Sequence, residues 1–277
     1  MSKKLDMVGR STGVAPTVHK TDPGLLKGWQ NVALIGCGGN GSQMLTKLAR
    51  LHFTLCAADL KNRLMVYAFD PDKVTRANVG RQMFSPSDIG HYKATVLINR
   101  INGYYGGVDW VAVPQEYNLD TEVVQSAMRP DLAISCVDSA KARRELETLF
   151  LSSEHLTPTY WLDLGNGRDL GQVVLGQPGV EGGLPTVMDI FPEMRDPNCP
   201  EDNDEPSCSV ADALTRQALF VNDFMSTAAA LLCDNLLRVG ELRHHAYFIN
   251  MATGQMNPKP VPAVAGNALA KTRRKVA

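Results

Sequence analysis

The sequence has no apolar run approaching the length needed to cross a bilayer. Its opening, Met1-Ser2-Lys3-Lys4-Leu5-Asp6, lacks the apolar core of a secretory signal. Neither charge sign is in excess: 28 basic residues stand against 29 acidic ones, a formal net charge of −1, so no global field points to nucleic acid. The six cysteines follow no framework spacing and form no Cys-x-x-Cys pair. That argues against a disulfide scaffold and against a closed structural zinc site, and it reads as reduced thiols. Internal repeats are missing too. These absences set the expectation of a cytoplasmic protein with neither membrane nor nucleic acid as partner.

What is present suits one large α/β domain: 277 residues, 44% of them hydrophobic and 21% charged. Residues 1–28 are polar and broken by Gly and Pro, which predicts a flexible leader. Asn31-Val32-Ala33-Leu34-Ile35 reads as a buried parallel strand. Met44, Leu45, Leu48 and Leu51 recur at helical spacing between Asn40 and Phe53. A second strand, Leu64–Phe69, stops at Asp70-Pro71-Asp72. A helix near 93–104, a strand near 110–113 and an apolar strand near 132–137 follow. This alternation predicts an α/β, Rossmann-like, doubly wound and mostly parallel sheet. Further on, strands near 160–163 and 171–175 flank a turn at Gly165-Asn166-Gly167. A long Pro-, Gly- and acid-rich loop runs over about 178–207. Then comes a long helix from Ala211 to Val239, entered through Ser209, and a closing strand near 247–249. The basic tail, residues 266–277, reads as a solvated end. The boundaries are therefore a leader over 1–28, one domain over 29–265 and the tail.

Gly36-Cys37-Gly38-Gly39-Asn40-Gly41 fits G-x-G-x-x-G between a predicted strand and a predicted helix. Gly36, Gly38, Gly39 and Gly41 would permit a tight turn and a close approach of backbone to phosphate at a helix start. Asp70 ends the second strand, where such folds set a carboxylate against ribose hydroxyls. Asp72 either shares that role or caps the turn at Pro71.

Beyond Asp70 the sequence reads Asp72-Lys73-Val74, then Asn78-Val79-Gly80-Arg81-Gln82, then Gly90-His91-Tyr92-Lys93-Ala94, with Asp138 and Arg143 further on. In order, over about residues 31–143, this resembles the superfamily of ThiF, MoeB, HesA and the ubiquitin-activating enzymes. Pro206-Ser207-Cys208-Ser209 and the helix after it resemble most the ThiF-family proteins of PRTRC plasmid-borne systems. The resemblance implies a single adenylation domain with an inserted crossover loop and a long C-terminal helix. Its implied activity is ATP- and Mg²⁺-dependent adenylation of the C-terminal carboxylate of a small ubiquitin-like (or sulfur-carrier-like) protein ending in glycine. A homodimer and a downstream conjugating enzyme are further implied partners. By resemblance Asp70 meets the ribose, Asn78, Arg81, Gln82 and Lys93 the phosphates, and Asp138 holds Mg²⁺, with Arg81 and Lys93 catalytic.

The residue chemistry agrees. Adenylation must neutralise charge on departing pyrophosphate, and a guanidinium fork and an ammonium group suit phosphate oxygens. Cys208, just before a helix start, is either a thiolate nucleophile that takes the acyl group as a thioester or a small buried residue. Cys199 is the second candidate, and Cys37, Cys56, Cys136 and Cys233 look structural. Two departures from the family stand out: no Arg-Tyr-x-Arg-Gln segment precedes the first strand, and Ser139 stands where relatives carry Asn. Two other functions share the glycine loop: an NAD(P)-dependent oxidoreductase, and a nucleotide-binding scaffold without catalysis.

Overall fold

A computed structural model describes residues 17–58, 60–125, 129–152, 154–199 and 218–263. In chain order, the first elements are β1 (His19–Lys20), β2 (Gly28–Ile35), α1 (Gly39–Ala57) and β3 (Asn62–Phe69). Next come α2 (Lys93–Tyr105), β4 (Val111–Val113), α3 (Glu122–Gln125), β5 (Leu132–Ser135) and α4 (Ala140–Ser152). Then follow β6 (Tyr160–Asn166), β7 (Leu170–Gly176), α5 (Val187–Ile190) and α6 (Val221–Asp234). The last are β8 (Glu241–Leu242), β9 (His244–Asn250) and β10 (Gln255–Pro260).

Eight strands form one sheet in the order β10-β9-β7-β6-β5-β2-β3-β4. The pairs from β6 to β4 are parallel, and those from β6 outward to β10 are antiparallel. The mostly parallel, doubly wound architecture expected from the sequence is therefore what the chain adopts. The chain leaves β2 toward β3 and β4, then returns to place β5 on the other side of β2. The C-terminal ends of β2 and β5 thus meet at the switch point where open α/β sheets bind ligands.

Two apolar layers cover the faces. On one, Met44, Leu45, Leu48 and Leu55 of α1 pack with Leu97 and Ile98 of α2 and Met225, Ala229 and Leu232 of α6. On the other, Val124, Leu146, Phe150, Val187 and Met188 pack against Phe69 and Trp161. Each large side chain so buried contributes about 1.5–3 kcal/mol. The helical spacing that marked α1 in the sequence is the stripe that faces this core.

Four local differences from the sequence reading have physical causes. Residues 19–26, assigned to a leader, carry β1 and a 3-10 turn, because buried His19 pairs with Tyr160 Oη at 2.7 Å and Leu25 joins the core. Gly165 and Asn166 pair in the β6–β7 ladder, so the turn lies at Gly167, whose N–H donates to Leu170 O at 2.9 Å. The loop after Pro178 is not featureless over its described part: Thr186 and Asp189 make a capping box for α5, and Arg195 bridges Glu147 of α4 and Asp189. The long helix, whose expected start at Ala211 lies outside the described residues, is α-helical over α6. It then becomes a π-helical turn over Asn235–Val239, where Thr21 Oγ1 donates to Leu236 O at 2.8 Å and Asn62 Nδ2 to Leu237 O at 2.6 Å.

Candidate active site

Gly36 closes β2 with φ at 90°, and a Cβ there would lie 2.8 Å from Cys136 O. A Cβ on Gly41 would lie 1.9 Å from Gly36 O, so this glycine lets α1 approach the strand end. Gly38 is the N-cap of α1 and provides no capping side chain, so no side chain satisfies the first helical N–H groups from that position. The atom nearest a Cβ on Gly38 is Gln82 Nε2, at 3.8 Å. The glycine loop and the segment after β3 therefore meet here, as the sequence pattern implies. Asn222, at the start of α6, packs against Gly39.

Asp70 is only 6% exposed. Its Oδ2 accepts the Cys37 N–H at 2.6 Å and its Oδ1 the Asp72 N–H at 2.8 Å. Burial raises its carboxyl above the ordinary value, opposed by nearby Lys93 and by these two hydrogen bonds. The side chain expected on a ribose thus also stitches β3 to the glycine loop.

Lys93, at the start of α2, is 8% exposed, and its Nζ lies 2.8 Å from Asp72 Oδ2. Its backbone N–H donates to Asp72 O at 2.9 Å, so the ion pair and the chain path support each other. Asn78 Oδ1 accepts the Thr75 N–H at 2.8 Å and closes a capping box over the 3-10 turn Arg76–Asn78. That carbonyl is engaged locally, so a hydrogen bond from Asn78 to phosphate would come from its Nδ2–H group. Arg81 is half-buried, and burial lowers its guanidinium from the usual value. Gln82 is buried, and its Oε1 has no hydrogen-bond partner among the described residues.

Asp138 lies exposed just beyond β5. Capping of α4 falls to its neighbour Ser139, whose Oγ accepts the Ala142 N–H at 3.1 Å. Behind this turn, Arg143 and Asp163 form a buried ion pair at 3.0 Å. Arg143 was legible as part of the motif; Asp163 was not singled out. Its signal was a lone carboxylate inside the apolar strand Trp161-Leu162-Asp163-Leu164, which demands a buried partner. Asn222 was missed as well, because nothing in a helical pattern marks which polar residue faces a loop.

Cys208 and Ser209 lie outside the described residues. Cys199 is half-buried in a turn whose N–H donates to Asp196 O at 3.0 Å. Burial raises the thiols of Cys37, Cys136 and Cys233, the last up to about 12, so these three are protonated at neutral pH. No group of three or more His, Cys, Asp or Glu among the described residues is placed to hold a metal unaided. A shallow depression lined by Trp29, Gln30, Arg129, Asp131 and Thr157 lies at the opposite, N-terminal edge of the parallel strands, away from these groups. No helix among the described residues is long and apolar enough to cross a membrane.

A glycine loop at the switch point of a doubly wound sheet, with buried Lys93 at the start of α2 paired to Asp72 and close to Asp70, defines the class: an α/β fold of nucleotide-binding type. Within that class the chain belongs to the ThiF family, whose pattern it matches over residues 26–270. No curated protein matches the sequence. Among solved structures, PaaA is similar with a TM-score of 0.60 and 16% identity, over 86% of this chain and 75% of that one. Escherichia coli MccB is similar with a TM-score of 0.56 and 15% identity, over 88% of this chain and 67% of that one. MccB crystallised with ATP gives a TM-score of 0.54 and 14% identity, over 87% and 67%. The chain spans about two thirds of the length of the MccB chains. At these identities the likeness establishes the fold.

Proposed function

We propose that this chain binds Mg-ATP at the switch point and adenylates the C-terminal carboxylate of a partner polypeptide. The observation that carries the reading is the approach of the segment after β3 to the glycine loop: Gln82, next to Arg81 in sequence, lies against Gly38, and Lys93, paired with Asp72, lies close to Asp70. Membership of the ThiF family supports it. So do the fold-level neighbours, since MccB has been crystallised with ATP and with AMPCPP and MccA.

The residues fit a triphosphate. The uncapped start of α1 offers N–H donors and a positive dipole end. Gln82 has hydrogen-bonding capacity left over, and Asn78 borders the same loop. Asp70, with Asp72, would meet the ribose while keeping the glycine loop in shape. Asp138, exposed on a fixed turn, suits a metal that takes one or two carboxylates and shares phosphate oxygens. Mg²⁺ bound there would supply charge neutralisation on the phosphates. In the reaction a carboxylate oxygen of the partner attacks the α-phosphorus, and the bond to the β-phosphate oxygen breaks. Pyrophosphate leaves, and the acyl group remains as an acyl-adenylate. Arg81 and Lys93 stabilise the negative charge that grows on the leaving group.

The partner read from the sequence is a small ubiquitin-like protein ending in glycine, and the members the chain resembles most are those of PRTRC systems. Attack by the Cys208 thiolate on the acyl-adenylate, with AMP leaving, would give a thioester for a conjugating enzyme. A homodimer completes the reading.

The test is ATP–pyrophosphate exchange with a ubiquitin-like protein bearing a free Gly-Gly C-terminus. Exchange with the free carboxylate and none with the amidated form is expected. Tight Mg-ATP binding with no exchange for any free carboxylate supplied would favour the non-catalytic scaffold.

A further inference from the structure

We infer that Asp163, with Ser135 and Trp161, is a positioning residue for Asp138, acting through Arg143; the inference rests on the reading of Asp138 as the carboxylate that meets Mg²⁺. Asp163 is 0% exposed and Arg143 4% exposed, in the layer between β6 and α4. A carboxylate there is costly unless each oxygen is satisfied. Asp163 Oδ1 accepts Arg143 Nε–H at 3.0 Å and the Ser135 hydroxyl at 2.6 Å, and Oδ2 also faces Nε, at 3.1 Å. Ser135 Oγ in turn accepts the Trp161 indole N–H at 2.7 Å. Three strand residues therefore fix the guanidinium from behind.

What the guanidinium does with its remaining N–H groups gives the network its meaning. Nη2 donates to Val137 O at 2.8 Å and to Leu164 O at 3.3 Å, and Nη1 donates to Ser139 O at 3.2 Å. One cation thus holds the carbonyls on both sides of Asp138. Ser139, the following residue, is also held as the cap of α4. Asp138 itself stays exposed, while the carbonyls of both its neighbours are held by the one guanidinium.

Stability alone is a weak reason for this arrangement, because well-packed apolar residues often replace a buried ion pair at no loss. A loop that must present one carboxylate in a fixed place is a better reason. Outer partners of metal-binding groups orient them, and their removal typically lowers metal affinity by 10–100-fold. The inference therefore separates two quantities. The affinity for Mg-ATP depends on Asp163, and the affinity for ATP without metal does not.

Calorimetric titration of ATP, with Mg²⁺ and with EDTA, into wild type, Asp138→Ala, Asp163→Asn and the double variant tests this. Asp163→Asn should weaken Mg-ATP binding by about tenfold, leave metal-free binding unchanged, and add nothing to the loss in Asp138→Ala. Ser135→Ala, a milder change to the same network, should give the same pattern at smaller amplitude if Asp163→Asn does not fold. Equal losses with and without Mg²⁺ would mean the network only supports the fold, and would overturn the inference. An unaffected Asp163→Asn beside a weakened Asp138→Ala would overturn it too. If Asp138→Ala itself binds Mg-ATP normally, the assignment of Asp138 fails, while ATP binding by the crevice stands.

Discussion

The segments that follow β3 and β5 flank one crevice and are held in opposite ways. After β3, the candidate ligands are also the fasteners: Asp70 grips the Cys37 and Asp72 amides, and Asp72 pairs with Lys93. After β5, the candidate ligand is exposed and the fastening is done behind it by Arg143 and Asp163. On the first segment, loss of a functional side chain also loosens the loop. On the second, support and function lie on different residues and can be removed separately.

The largest expected effect breaks the support behind β5. Arg143→Ala leaves the Asp163 carboxylate buried without its cation and should cost about 3–5 kcal/mol in urea unfolding. Gly41→Ala should come next. Its Cβ would strike Gly36 O, so overpacking of about 1–3 kcal/mol is expected, together with weaker nucleotide binding by a displaced glycine loop.

A smaller effect concerns Asp70. Its folded-state carboxyl is raised, so its contribution to stability is full below the unfolded value of 3.8 and is lost as pH rises through the folded value. Asp70→Asn lacks this loss. Urea midpoints measured upward from about pH 3.9 should therefore show Asp70→Asn gaining stability relative to wild type as pH increases. The smallest effect is that of Asp72→Ala. Its exposed carboxylate contributes about 1 kcal/mol or less to folding, and Asp70 remains near Lys93. The same change should still weaken ATP binding, because Lys93 loses the partner that aims it.

This contrast also explains what the sequence made legible. The glycine loop, its flanking strands and the segment after β3 form a contiguous pattern with clear periods, and Gln82 of that segment lies against the loop at the switch point. The support behind β5 joins residues from β5, α4 and β6, and no spacing announces such a contact. The long helix was legible from its apolar content, yet its π-helical end depends on Thr21 and Asn62, distant in sequence. The β6–β7 turn was misplaced because Gly165 and Asn166 look like turn residues but pair in the ladder. The region of Cys208 lies outside the described residues, so the thioester step stands on the sequence alone.

The most direct test of the account is nucleotide choice, read by calorimetric titration of Mg-ATP and of NAD into the wild type and Asp138→Ala. The account predicts Mg-ATP binding that weakens in the variant, and no heat from NAD in either. NAD binding in place of Mg-ATP would contradict it and turn the same glycine loop into the site of an oxidoreductase.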